Sequence, residues 1–399
     1  MKRRLVKFIS IILASAVAAG ALFFCGFSFK LPAGVYINGV QAGGLTRAGA
    51  ADAVRRDIVR GLKNKSLTVH AGGCDYVFKY PEINFSDNAL SVIKSISGAG
   101  SYSVDVKYYL NGFDEVVSGI CAAQSQKMAE PCYVFNPYEG EPFEYENGKN
   151  GVYCDKARLA ADISHSLCCG FCDVYLHTKE FTPFKTMDEV KRSTALLSSF
   201  VTYFDGANQS RSQNIALAAK RISGFAIKPE GVFSFNQSVG PRTKERGFKT
   251  AKVIAGGKYI YGVGGGVCQV STTLYNAALL AGLKVTEYHP HSLPVSYISP
   301  SRDAMVSGSY CDLKLKNLSD CPVYIRVLTG KNYVRCELYG KSDGFVYSLN
   351  SEMLENADDG GIRSRCVLTK ERDGVKISEL IRSDRYLRSP SDEQDAMRG

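Results

Sequence analysis

The chain has 399 residues, room for two or three domains that each bury a core. An apolar share of 45% beside a charged share of 22% excludes a generally disordered polymer. The net charge of +10 is interspersed with acidic residues and comes with no recognition motif, so nucleic acid is not an expected partner; an anionic surface, membrane or wall polymer, is compatible with it.

The amino terminus carries Lys2, Arg3, Arg4 and Lys7, and residues 8–29 then run without a charge. At about 1.5 Å per residue such a helix reaches across a bilayer. A retained anchor is expected, in a single-pass cell-membrane protein whose main domains are extracytoplasmic. A cleaved signal peptide, with the small residues of 14–18 at its end, is the competing reading. Residues 34–40 alternate around an Asn38-Gly39 turn signal, and Thr46 can cap a helix over 48–62. Strands are expected at 67–70 and 76–80, and a short helix at 88–95. Residues 113–128 have helical spacing, 132–135 read as extended, and 139–150 form a polar excursion, either a hairpin or an exposed loop. A helix over 156–167 and a strand at 173–177 close this part.

Residues 181–201 read as a connector with a short helix. Asn214 to Ile222 has helical periodicity, and short strands follow at 251–254 and 258–261. Beyond the glycine-rich centre, strands are expected at 285–289, 295–298, 304–306, 334–339, 365–370 and 375–380, with sheet-like alternation at 313–315 and 323–327. The fold class predicted is α+β: an N-terminal transmembrane helix followed by mixed α+β extracytoplasmic domains. The expected divisions are 1–30 (cytoplasmic tail and anchor), 31–180 (α+β region), 181–201 (connector), 202–340 (a second domain) and 341–399 (a strand-bearing extension, frayed from Ser389 onward).

Thirteen cysteines are present. Cys25 falls in the apolar run, and the spacing of the other twelve specifies no pairing. Cys169 and Cys172 have the gap of a metal-binding pair but lack a second pair, so neither a metal nor a cofactor is expected.

The chemistry concentrates in Gly264-Gly265-Gly266-Val267-Cys268-Gln269 and the helix that Val270, Leu274, Ala277, Ala278 and Ala281 predict after it. Cys268 would stand in the first helical turn, where unpaired N–H groups favour a thiolate. His289 and His291 follow and supply a candidate base. Asp312 is the first choice, and Asp303 the second, for a carboxylate that orients the histidine. Each aspartate is equally able to cap a turn or to pair with Arg302 or Lys314. Backbone N–H groups at Cys268 and Gln269, with the Gln269 side chain, are candidate oxyanion donors. The competing reading is a buried, structural cysteine beside glycines that only permit close packing.

The segment 264–276, together with His289-Pro290-His291-Ser292, Arg302-Asp303-Ala304 and residues 312–317, resembles the VanW family. Arg211, Asn214, residues 233–236 and Gly240-Pro241-Arg242-Thr243 add to the likeness, which covers most of 202–340. Pro229-Glu230-Gly231 departs from the family's usual Pro-Gly-Glu. Residues 34–180 resemble the amino-terminal part of YoaR-like members, for which the resemblance implies a peptidoglycan-binding domain. The expected function is therefore a membrane-anchored envelope protein that binds peptidoglycan or its stem peptides. The alternative is a thiol-dependent amide hydrolase or acyl transferase acting on stem peptide. The family is named after a vancomycin-resistance gene cluster.

Overall fold

The structure, a computed structural model, describes residues 29–308, 310–354 and 361–387. The expected membrane span lies outside the described residues except for Phe29, as does the tail beyond Leu387. Among the described residues no helix is long and apolar enough to cross a membrane. The longest, Arg47–Leu62, has 16 residues with arginines along it and only one buried stripe, at Ala50, Ala51, Val54 and Leu62. A span needs about 20 consecutive apolar residues. The expected transmembrane helix, membrane partner and single-pass location are corrected to that extent: no described helix supplies them. What stands of the expected fold class is its mixed α+β character.

The chain divides into two compact units: residues 1–126 with 152–180, and 127–151 with 181–399. The first unit has two small cores. One gathers Val35, Ile37, Ala50, Val54 and Ile93 between the helices Arg47–Leu62 and Ala89–Ser95 and the strand Val35–Ile37. The other gathers Leu67, Val69, Ile83, Ile120, Leu159 and Ile163 beneath the helices Phe113–Gln124 and Lys156–Cys168. Both carry local caps of the expected kind: Thr46 accepts from Gly49 N at 3.1 Å, and Asp155 accepts from Arg158 N at 2.9 Å.

The second unit is built around the helix Val267–Leu280, hereafter the central helix. Every residue from Val267 to Leu279 is buried except Cys268, which is partly open. Against it pack the helix Gln209–Ile222 and an antiparallel sheet in the order Ala195–Tyr203, Tyr333–Gly340, Val323–Thr329, Ala226–Ile227. A helix covered on all sides is expected to be apolar all round, yet this one buries Gln269, Ser271, Thr272, Thr273 and Asn276. Each is satisfied. Thr273 Oγ1 meets Thr202 Oγ1 at 2.8 Å, Ser271 Oγ donates to Ala304 O at 2.6 Å, and Thr272 Oγ1 accepts from Ala304 N at 2.9 Å. Asn276 donates to Arg302 O at 2.8 Å and accepts from Arg302 Nε at 2.9 Å.

Those bonds explain a difference from expectation. Residues 295–298 and 304–306 are irregular rather than strands; at 304–306 this is because the backbone of Ala304 is claimed by side chains of the central helix instead of a neighbouring strand. Similarly, the excursion 139–150 belongs to the second unit. Its strand Phe143–Glu146 pairs with Cys132–Phe135, and the buried Arg326 donates to Pro137 O at 3.1 Å and Gly140 O at 3.2 Å while pairing with Glu337 at 3.1 Å.

The carboxy-terminal strands Val346–Met353, Ile362–Arg372 and Val375–Tyr386 form a three-stranded antiparallel sheet. The last of them runs past the expected end at Leu380, with a register irregularity opposite Cys366 and Val367. The sheet is tied to the 300-region by Ser351 Oγ, donating to Pro300 O at 2.5 Å, and by Ser301 Oγ beside Ser364 Oγ at 2.7 Å.

Candidate active site

The three glycines act sterically. Gly266, the residue before the central helix, has φ +107°, a region that L side chains rarely adopt. A Cβ on Gly265 would stand 2.5 Å from the Lys252 carbonyl oxygen and 2.8 Å from the Ala251 carbonyl carbon, both backbone atoms. Asn214 fixes the same turn, donating from Nδ2 to Gly265 O and Lys249 O at 2.9 Å each. The helix entrance is thus pressed against the hairpin Thr250–Ala255 and Lys258–Val263, and Cys268 is delivered to a cleft of about 970 Å³.

Of the histidines, His291 lines the cleft with Cys268 and stands close enough for its imidazole to bear on the thiol. Its backbone N and its Nδ1 both meet Asp303 Oδ2, at 2.7 Å each. With Nδ1–H committed to the carboxylate, Nε2 is the nitrogen left for Cys268. Asp303 Oδ1 accepts in turn from Tyr386 Oη at 2.6 Å and Arg382 Nη2 at 3.2 Å, and Arg382 Nη1 donates to the Asp303 carbonyl at 2.6 Å. Arg382 is further paired with Asp384 at 2.5 Å. Asp303, His291, Tyr386 and Arg382 are all buried.

Burial pushes the Cys268 thiol up, but the hydrogen bond and positive charge of His291 and the nearby Arg242 guanidinium outweigh it, so the thiol lies below its ordinary value. Burial pulls His291 down, and the bonds to Asp303 and Cys268 overcome that, raising it to about 9. Burial likewise raises the Asp303 carboxyl, while His291, Arg382 and Tyr386 hold it below the ordinary carboxylate value. The signs agree on a thiolate–imidazolium pair with an ionised aspartate behind it. In the thiol form the sulfur can instead donate to Val306 O, 3.4 Å away.

The other candidates stand elsewhere. His289 pairs with Glu287 at 3.1 Å, and Lys314 first, with His289, holds that carboxyl down to about 2. Asp312 accepts from Ser234 Oγ at 2.5 Å, Asn236 N at 2.8 Å and Leu313 N at 2.8 Å, and so caps the Val232–Ser234 strand and the short helix after it. The Gln269 side chain is consumed: Oε1 accepts from Arg211 at 2.7 Å, and Nε2 donates to Thr202 Oγ1 at 3.0 Å and Tyr203 O at 2.9 Å. It has no capacity left as an oxyanion donor. Among the described residues the structure brings together Cys268, His291 and Asp303. Arg382 and Tyr386, which sequence reasoning did not single out, complete the chain of bonds.

The expected function is corrected along with the anchor. Among the described residues no group of three or more His, Cys, Asp or Glu could hold a metal, and the twelve described cysteines are all free. Nothing there singles out hydrolysis or acyl transfer on a stem peptide, and that assignment is withdrawn.

Residues 210–339 match the family model described as VanW like protein. The chain is 46% identical over 134 residues to the uncharacterized protein YoaR of Bacillus subtilis, a stretch covering 34% of this chain and 44% of the relative. It is 28% identical over 175 residues to the vancomycin B-type resistance protein VanW of Enterococcus faecalis, covering 42% of this chain and 64% of that protein. The chain thus spans about half the length of the curated relatives it matches. No solved structure matches it at comparable significance. Cys268, His291 and Asp303 fall inside the matched segment, whereas Arg382 and Tyr386 lie beyond it. By these likenesses the chain is homologous to the VanW domain over residues 210–339 and to the YoaR-like proteins.

Proposed function

We propose that the second unit performs cysteine-based covalent chemistry on a ligand held in the cleft. The observation that carries this reading is the bonded chain His291–Asp303–Arg382 standing beside Cys268, which is partly open to the cleft at the entrance of an otherwise largely buried helix. The Cys268 thiolate forms an S–C bond to an electrophilic carbon, and the bond from that carbon to its leaving group breaks. His291 Nε2 gives its proton to the departing group, which leaves neutral, and the ring becomes the neutral Nδ1–H tautomer that Asp303 holds. Asp303 and Arg382 position the ring without touching the reacting atoms.

The ion pair exists in a pH window. It is present above the lowered pKa of Cys268 and is lost as pH rises through about 9, where His291 releases its proton. Thiolate ultraviolet absorbance of the wild type minus that of Cys268→Ser is therefore expected to be present already at neutral pH, fading only on acidification. A difference signal that first rises at the ordinary thiol value, about 8.5, or higher would sink the reading.

Peptidoglycan as the ligand class of the first unit rests on the resemblance of residues 34–180 to the amino-terminal part of YoaR-like members alone. Cosedimentation of the purified chain with bacterial sacculi tests it, and a chain that stays in the supernatant removes it.

A further inference from the structure

The walls of the cleft are unequal in charge. Arg211, Arg242 and Lys252 line it, and Asp205 is the single carboxylate among its lining residues. Neither arginine forms an ion pair among the described residues. Arg211 is spent on the neutral amide oxygen of Gln269 at 2.7 Å and lies 5.9 Å from the centre of the Tyr297 ring. Arg242 Nη2 donates to the amide oxygen of Asn236 at 2.5 Å, and its guanidinium lies 6.0 Å from the centre of the Phe235 ring. Gly264, on the other side, leaves Arg242 its place: a Cβ there would stand 3.0 Å from Arg242 Cβ. A half-buried guanidinium hydrogen-bonded only to neutral partners has lost hydration without gaining a direct ion pair; the Asp312 and Cys268 charges act on Arg242 only through space. It stands close enough to Cys268 for its charge to lower the thiol. The entrance of the central helix adds the positive end of its dipole to the same wall.

We propose that the ligand attacked by Cys268 carries an anionic group, a carboxylate or a phosphate, seated against Arg242 with Arg211 and Lys252 along the same cleft. This rests on the thiolate reading above and specifies its substrate class. The anion supplies the direct ion pair that Arg242 lacks, beyond the more distant charges of Asp312 and Cys268, and fixes the electrophilic carbon over the sulfur, a role that planar, multidentate guanidinium fills better than ammonium.

Two alkylating probes of nearly equal size separate the possibilities: iodoacetate, which is anionic, and iodoacetamide, which is neutral. The ratio of their rates at Cys268, compared with the same ratio for free cysteine, cancels differences in thiolate fraction. The wild-type ratio is expected to exceed the free-thiol ratio by about tenfold at low salt and to fall as salt is raised. Arg242→Gln should bring it down toward the free-thiol ratio, and Arg242→Lys should retain part of the excess. Inorganic phosphate should protect Cys268 from both probes in the wild type. A wild-type ratio equal to that of free cysteine, or an excess that survives in folded Arg242→Gln, overturns the anion site while leaving the thiolate reading intact. Resistance of Cys268 to both probes overturns the two together.

Discussion

Alanine in place of His291 is expected to slow alkylation of Cys268 near pH 6 by on the order of 10²-fold. An isolated thiol with a pKa of about 8.5 is roughly 0.3% ionised there, so removing the imidazolium forfeits most of the reactive species. Burial, which opposes ionisation of Cys268, is then opposed only by the Val306 backbone and Arg242. The variant should remain folded, since Asp303 retains Arg382 and Tyr386 as partners. His289→Ala is the matched control: that ring faces Glu287, and its loss should leave the rate at Cys268 nearly unchanged. Equal rates in wild type and His291→Ala would show that His291 does not activate the sulfur.

The second large effect concerns stability. Arg382→Met removes a buried cation from between Asp303 and Asp384 and leaves both carboxylates short of a partner. Breaking a buried ion pair from one side costs about 3–5 kcal/mol, because the remaining charge stays desolvated. For a unit of this size that corresponds to a fall in Tm of roughly 10 °C. Adding Asp303→Asn removes one of the stranded charges, so the double variant should lose less than the sum of the two singles. Asp303 also shows the expected linkage sign: its carboxyl is held below the ordinary value, so the stability it contributes is present above that value and disappears as pH falls through the folded one. Additive effects, or a Tm unchanged in Arg382→Met, would mean that the carboxy-terminal sheet does not buttress the site.

The positions that could be read from the sequence are those set by local chemistry. Gly264 to Gly266 followed by an apolar helical stripe gave the helix entrance and the place of Cys268 in its first turn, because both depend on residues within a few positions of one another. The choice between His289 and His291, and between Asp303 and Asp312, is settled by contacts that spacing does not encode. Asp312 is drawn to Ser234 and Asn236, some 76 to 78 residues earlier, and Asp303 to Arg382 and Tyr386, 79 to 83 residues later. Alternation at 304–306 suggested a strand, but Ser271 and Thr272 occupy the backbone of Ala304. Arg382 escaped notice because it sits in the polar run Arg382-Ser383-Asp384-Arg385, which looks like an exposed tail until the strand is seen continuing to Tyr386.

The central claim is that the Cys268 sulfur is ionised and aimed into a cleft. It is tested most directly by alkylating the wild-type chain with limiting iodoacetamide near pH 6 and resolving the modified cysteines by peptide mass spectrometry. Cys268 is predicted to be modified first, ahead of the more exposed Cys74 and Cys132. Modification of Cys74 or Cys132 at least as fast as Cys268 would contradict the account.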